Sequence, residues 1–438
     1  MRVTNKMLAN NYLSDMQTNL GKMRQLQQQM SSGKNFSKPS DDPFNVSRSM
    51  QMHTQIDANK QYNKNITNVI NWLDTTDTAL GQLGNVFQSI REKMVSAGNA
   101  AYGSDERLKI KDEINQRIGQ ISQVLNTSFD GEYIFGGTKG ASKPVNAELD
   151  SAQNNRLIYT SSGGKELKKL PNVTSETVTP KNWSGKKITF NIDGKDVEIT
   201  LDAFTDKSSV DDVVNSINKK ISESETGTPP EKLLRGKIIA EKSADGKKIS
   251  FFTQNNDKVA ISATDIDAAE FNSKNQEFPS MQMNMISGSR ETELSQGVII
   301  KYNVSAVDVV NYGNSDKDNI MGLMQRILNH LEGKDDNGNT DAEAGTKALT
   351  NQDLVDIDAA MSQILKFRSE VGAKQKRMEG AKEQNEQSNL DMTDILSKTE
   401  DIDITEKTME YAVMQTVYLA SLQTSAKVLQ PTLMDYMR

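Results

Sequence analysis

The sequence predicts a mainly α-helical protein with an α+β insert. Long amino- and carboxy-terminal helices pair into a coiled-coil or bundle-like rod, and a β-rich domain interrupts them. Three observations carry this reading. The first is an unbroken ladder at Ile66, Val69, Leu73, Thr76, Leu80, Leu83, Phe87, Ile90, Met94, Ala97 and Ala101, whose steps alternate three and four residues. Such a strip faces one way on a helix and needs a partner helix to cover it. The second is a weaker ladder near the other end, at Leu354, Ile357, Met361, Ile364, Arg368, Val371, Gln375 and Met378. The third is proline placement: six of the nine prolines lie between Pro144 and Pro279, and none occurs from Phe44 to Lys143 or from Ser280 to Gln430. A proline inside a helix costs about 3 kcal/mol, so the two proline-free arms are the helical ones.

Taken in order, the first helix carries Leu13, Met16, Leu20, Met23 and Met30 at three-four spacing or its sum and breaks at Gly33, a left-handed cap. The next starts after Pro39-Ser40-Asp41-Asp42-Pro43, with Asp42 as N-cap and Pro43 at the first helical position. A turn at Gly103-Ser104-Asp105 leads into a third helix bearing Ile110, Ile114, Ile118, Ile121 and Leu125. In the insert, Lys187–Ile192 and Val197–Leu201 flank Asp193-Gly194, a hairpin signal. A helix from Val210 to Ile221 is expected to be capped by Ser208, with Asp211 three residues on. Ile238–Ala240, Ile249–Phe252 and Val259–Ile261 read as strands, and Val298–Val304 as a last strand before helices resume near Asp318. Gly333–Gly345 reads as a solvated acidic loop. The expected domains are a terminal helix over 1–40, a helical arm over 41–138, the insert over 139–304, a second arm over 305–390 and a terminal helix over 391–438.

Composition narrows the function. The chain has 438 residues, 25% charged and 5% aromatic, with a formal net charge of −7, which gives no sign of nucleic-acid binding. No apolar stretch is long enough to span a membrane, and Met1–Gln17 has no apolar core of a signal peptide. Cysteine is absent, which removes disulfides and thiolate chemistry and suits a chain that leaves the cell unfolded. The two histidines, His53 and His330, are expected on helix surfaces. Gly131–Thr138 has the glycine spacing of a phosphate loop, but Gly137 stands where its lysine belongs. Asp335–Thr340 opens like a calcium loop but lacks glycine at the sixth position, and Thr346 replaces the glutamate at the twelfth. No catalytic residue, cofactor site or metal site is expected.

Charge bears on assembly instead. Residues 1–64 hold nine Lys/Arg against four Asp, and residues 391–438 hold four Lys/Arg against eight Asp/Glu. Opposite balances on two amphipathic ends steer them together, within a chain or between neighbours, while screening over about 8 Å limits the effect to contact range. The driving burial is expected from Leu419, Leu422, Ala426, Leu429 and Leu433 against Leu13, Met16, Leu20 and Met23.

Four stretches resemble the flagellin superfamily. Ser31-Ser32-Gly33-Lys34 with Pro39-Ser40-Asp41-Asp42-Pro43 is similar to its amino-terminal signature, in the Ser-Asp-Asp-Pro form of the hook-associated (FlgL-type) branch; filament flagellins usually have alanine at the Pro43 position. Gly131, Tyr133, Phe135 and Gly137 fit the pattern that closes the amino-terminal arm, and Arg368–Lys374 resembles the Arg-x-x-x-Gly-Ala element of the carboxy-terminal arm. Ala420–Thr424 through Leu433–Arg438 resembles the terminal helix, with Met434 and Met437 at positions usually Phe and Leu. The resemblance covers roughly 1–138 and 305–438. It implies a non-catalytic, flagellin-like subunit exported by the flagellar type III apparatus and placed at the hook–filament junction, outside the cell or in the periplasm. The implied partners are other copies of itself, the junction protein FlgK, flagellin and a FlgN-type export chaperone. A filament flagellin is the nearest alternative, and a secreted coiled-coil protein with a ligand-binding insert is another.

Overall fold

The computed structural model describes residues 5–428, except 100–101, 171–172, 176, 225–233, 244, 255–256, 266–276, 314–317 and 336–338. In chain order the elements begin with helices α1 (Asn5–Ser32), α2 (Pro43–Ala97) and α3 (Ser104–Leu125). Strands β1 (Ser128–Phe129), β2 (Glu132–Tyr133), β3 (Val145–Leu149), β4 (Asn155–Thr160), β5 (Glu166–Leu167), β6 (Val173–Thr174), β7 (Lys187–Ile192) and β8 (Lys195–Thr200) follow. Next come α4 (Val210–Glu223), β9 (Ile238–Lys242), β10 (Ile249–Thr253), β11 (Val259–Thr264) and α5 (Met281–Ile286). The chain then forms β12 (Glu291–Ser295), β13 (Val298–Lys301), α6 (Ala306–Val310), α7 (Ile320–Leu331), α8 (Ala342–Thr350), α9 (Gln352–Glu400) and α10 (Ile404–Val428). Two compact units result, one made of 1–67, 293–298 and 379–438, the other of 68–292 and 299–378.

In the second unit the ladder of α2 is the spine. Leu73, Leu80, Leu83, Phe87, Ile90, Met94 and Ala97 are fully buried, and the polar member Thr76 is buried too, its hydroxyl donating to the Trp72 carbonyl at 2.8 Å. Ala101 lies outside the described residues. The covering partner is the first half of α9, which presents Ile357, Ala360, Ile364, Val371 and Met378 as buried positions. The two helices run antiparallel, because Asp74, Asp77 and Arg91 meet Gln375, Arg368 and Asp358 in reverse order. Arg368 and Gln375, the polar steps of the second ladder, are therefore pairing positions at the seam's edge. Arg368 grips Asp77 with two bonds of 3.0 and 3.1 Å.

The insert contains a core of its own. Two antiparallel three-stranded sheets, ordered β6-β10-β9 and β11-β7-β8, and the buried face of α4 enclose Trp183, Phe190, Phe251 and Phe278. Phe251 stacks on Phe278 with centroids 5.5 Å apart, and Phe190 meets Phe278 edge-on at 6.0 Å, geometries that add to the area buried. The β7–β8 turn has positive φ at both Asp193 (49°) and Gly194 (81°), the two-residue hairpin turn that the dipeptide predicts. A third sheet, β3-β4-β5, packs on α3 and α7 and has no counterpart in the sequence reading.

Several local expectations shift. The N-cap of α4 is Ser209, whose hydroxyl accepts from the Asp212 amide; Ser208 instead accepts from the Thr205 amide and closes the preceding turn. Helix resumes earlier than Asp318, at α6, because Ser305 forms a capping box with Asp308. The acidic loop ends at Asp341, which caps α8, so Ala342–Gly345 is helical. Gly345 allows that start, since a Cβ there would lie 2.6 Å from the Lys334 carbonyl.

His330 is not a surface residue. It sits on the apolar face of α7, buried, with Nδ1 2.5 Å from Asp353 of α9. A carboxylate on the neighbouring helix satisfies the ring, which is what makes a polar side chain tolerable there.

One ion cluster couples α3 to the end of α7. Glu332 accepts from Lys111 at 2.7 Å, Lys334 at 2.6 Å and Asn154 at 3.3 Å. Burial works against its charge, but the three donors outweigh that and pull its pKa down to about 2. A carboxylate lowered in the folded state stabilises above its unfolded value and loses that contribution as pH falls through the folded value. Acid should therefore remove about 3 kcal/mol or less between roughly pH 4.5 and 2. Glu332→Gln should flatten the pH dependence of urea unfolding in that window, and an unchanged slope would count against the assignment.

Candidate assembly interface

In the first unit α1 and α10 lie side by side, joined by the Tyr12 hydroxyl, which donates to the Ser421 carbonyl at 2.8 Å. On α1 the half-buried stripe is Tyr12, Met16, Asn19, Met23, Leu26 and Met30; on α10 it is Lys407, Tyr411, Met414, Tyr418, Ser421 and the buried Ser425. Both stripes step four, three, four, three, four, the spacing of a two-helix seam. Met16 and Met23 are thus in the seam, and Leu20 is half-buried beside it.

The other expected contacts divide. Leu13, Leu419 and Leu422 are exposed, at 39%, 55% and 40%, because the α10 stripe that meets α1 runs through Met414 and Tyr418 instead. Ala426 falls in the last turn of α10, and Leu429 and Leu433 lie outside the described residues. Tyr411, Met414, Tyr418 and Ser421 were missed in the sequence, although their spacing was there to find. Two serines and a lysine in the same register hid the stripe from a search for apolar steps.

α10 has more apolar surface than one seam can use. Met409 (65% exposed), Val413 (57%) and Val417, at i, i+4 and i+8, form a second, exposed apolar line on α10. Met409 and Val413 join Leu26 and Met414 in a groove of about 590 Å³ between the helices, rimmed by Lys22 and Glu410.

The signature turns sit where α1 ends and α2 begins. Gly33 has φ 72° and its amide donates to the Gln29 carbonyl at 2.8 Å, ending α1 as a left-handed residue must. Pro39 and Ser40 lie in the connecting turn. Asp41 accepts from the amides of Ser37 and Lys38, bonds that hold its carboxyl below the usual range. Asp42 accepts from the Asn45 amide at 3.1 Å, which caps α2 with Pro43 at its first position.

The second signature belongs to the other unit. Asp130 (φ 51°) and Gly131 (φ 80°) make the two-residue turn between β1 and β2, and Tyr133 lies on β2. Phe135 is fully buried and its carbonyl accepts from the Ala306 amide at 2.8 Å. Gly137 (φ 61°) has no room for a side chain: a Cβ would lie 2.3 Å from the Ile286 carbonyl oxygen. This glycine run is a backbone-packing device between the arm and α5, and no phosphate loop. Among the described residues no cluster of His, Cys, Asp or Glu could hold a metal ion, and no helix is long and apolar enough to cross a membrane.

The seam makes a sharp forecast for the isolated chain. Met414→Asp puts a charge into the α1–α10 contact and should expose both helices to protease, since an unpaired charge there costs several kcal/mol. Leu422→Asp, on the exposed side, should change the monomer's protease pattern little. Equal sensitivity of the two variants would contradict the seam as drawn.

Residues 3–140 match the bacterial flagellin N-terminal helical region. The chain is 27% identical over 175 residues to flagellar hook-associated protein 3 of Salmonella typhimurium, covering 36% of this chain and 55% of that one. It is 30% identical over 122 residues to the Escherichia coli hook-associated protein 3, covering 28% and 38%. It is also 27% identical over 140 residues to a flagellin of Clostridium tyrobutyricum, covering 32% and 37%. The matched region thus spans about half or less of these relatives. The Ser-Asp-Asp-Pro turn and the glycine-locked end of the arm both lie within the stretch, residues 3–140, that is similar to the flagellin N-terminal helical region, and the chain is similar to hook-associated protein 3 and to flagellins.

Proposed function

We propose that this protein is a structural subunit of the bacterial flagellum, joining the hook zone to the flagellin filament. The observation that carries the reading is the surplus apolar surface of α10. A helix apolar on more than one side belongs inside an assembly, where neighbours cover what its own chain leaves bare. Leu419 and Leu422 lie outside the α1 contact and remain available to such neighbours. Head-to-tail packing about an axis makes heterologous contacts, which is how one helix would use different sides for different copies.

On this reading the terminal helices, 1–40 and 391–438, are the assembly core. The arms 41–138 and 305–390 carry the rod, and 139–304 projects as the outer domain. Its neighbours would be further copies, FlgK on one side and flagellin on the other, with a FlgN-type chaperone holding the carboxy-terminal helix before type III export. Nothing in this role calls for catalysis. A filament flagellin is the second reading, favoured by the match to the Clostridium flagellin; Pro43 in the signature turn weighs for the junction.

Immunogold labelling of isolated flagella separates the two: a single band at the hook–filament boundary is expected, and label along the whole filament would overturn the junction. Leu419→Asp with Leu422→Asp should release flagellin monomer into the medium with the subunit itself still exported. Normal filaments in that strain would refute the role given to the exposed leucines.

The insert offers a separate check. The β3-β4-β5 sheet and α5 are tied to the arms, through Asn155 bonded to Asn115 and Thr138 bonded to the Met285 carbonyl. The core around Phe190 and Phe251 is instead confined to residues 173–278. Replacing 173–278 with a short Gly/Ser linker should leave flagella attached and motile. Loss of filaments despite normal export would show that the module takes part in assembly.

A further inference from the structure

The two helices of the terminal pair break from the rest of the unit at the same level. α1 is separated from α2 by residues 33–42, and α9 from α10 by 401–403. These linkers are bonded to each other rather than to solvent alone. Lys34 and Asp401 form an antiparallel bridge; the Asn35 amide donates to the Glu400 carbonyl at 2.6 Å and the Ile402 amide to the Gly33 carbonyl at 3.1 Å. The Asn35 side chain adds a bond to the Asp401 carbonyl at 2.9 Å. Neither linker can turn alone without breaking backbone bonds to the other, so any rotation must carry both.

One side chain fastens this strap to the helices on the far side of the break. Glu400, mostly buried, accepts from the Lys34 ammonium at 2.9 Å, from Ser49 and, at 3.0 Å, from His53 Nε2. Ser49 and His53 are i and i+4 on α2, one above the other, so both reach the same carboxylate. Lys34 also holds Asp401 at 2.7 Å, and Asp401 in turn accepts from Ser397. Burial opposes the charge on Glu400, yet the Ser49, Lys34 and His53 donors together lower its pKa, so it stays ionised with its donors in place. Below the strap, Met52 and Ile56 of α2 pack on Leu396 of α9 in a small apolar cluster. The cluster gives the base of the hinge its own core.

We propose that the two linkers act as one coupled hinge latched by Glu400, about which α1 and α10 swing as a single body. The arrangement has the parts such a device needs. There is a packed helix pair on each side, a short two-stranded crossing with no apolar core of its own, and one carboxylate whose three contacts, to Lys34, Ser49 and His53, hold a single angle.

The chain lacks cysteine, so nitroxide labels can be placed without background. One pair, Gln55→Cys on α2 with Thr416→Cys on α10, reads the hinge angle. A second, Gln17→Cys on α1 with Thr416→Cys, reads the terminal pair itself; all three positions are exposed. By double electron–electron resonance the parent should give narrow distance distributions for both pairs. Glu400→Ala should broaden the first distribution markedly and leave the second unchanged, and the shape-conserving Glu400→Gln should fall between. Circular dichroism checks that helix content is kept, and Glu400→Gln carries the test if the alanine variant does not fold. Three results would overturn the proposal: an α2–α10 distribution as narrow in both variants as in the parent, one already as broad in the parent, or an α1–α10 distribution that broadens in step.

Discussion

Burial of one stripe on α2 is the constraint from which the rest follows. Leu73, Leu80, Leu83, Phe87, Ile90 and Met94 are apolar side chains at alternating steps, each worth roughly 1.5–3 kcal/mol when fully removed from water. No local contact on α2 can supply that cover. A distant part of the chain must return alongside, and α9 does so some 270 residues later in antiparallel sense, as Arg91 meeting Asp358 records. Everything between Ala97 and Gln352 therefore has to leave and come back. The intervening β-rich segment answers this requirement without disturbing the seam, since its ends are held by α3, α5 and α7.

Charges finish what burial begins. The Arg368–Asp77 pair and the Gln375–Asp74 bond flank an apolar strip that would tolerate a shift of one heptad on its own. Exposed pairs contribute little stability, of order 1 kcal/mol or less. Their value is in register: slid by one heptad, Arg368 would leave its carboxylate and the bidentate grip would be lost. The same division of labour recurs at Glu332, where three donors fix how α3 meets α7.

How much of this was legible depended on whether the signal was periodic or single. The α2 ladder, the Asp42-Pro43 helix start, the Gly33 stop and the Asp193-Gly194 turn are each set by local chemistry and stand where the sequence put them. The α10 stripe was harder, because Lys407, Ser421 and Ser425 occupy seam positions and break the apolar pattern. His330 read as a surface residue because its partner, Asp353, is 23 residues away and nothing in α7 announces it. The β3-β4-β5 sheet was hidden for a similar reason: Arg156 and Glu166 pair across the sheet, and mixed polarity in short strands gives no clean alternation. Glu400 lay in an unremarkable run, and only the return of Lys34 and of α2 to its side gave its carboxylate three partners.

The glycine at 137 sets a different kind of limit. The seam can drift, for Leu, Ile and Met exchange at modest cost when volume is kept. Gly137 cannot: its φ of 61° disfavours side chains, and the Ile286 and Met285 carbonyls fill the space that a methyl group would need. Over long divergence the arms can lose nearly all sequence identity and keep their helices. The lineage's recognisable mark would then survive as a small knot of backbone, where one atom too many unseats the arm.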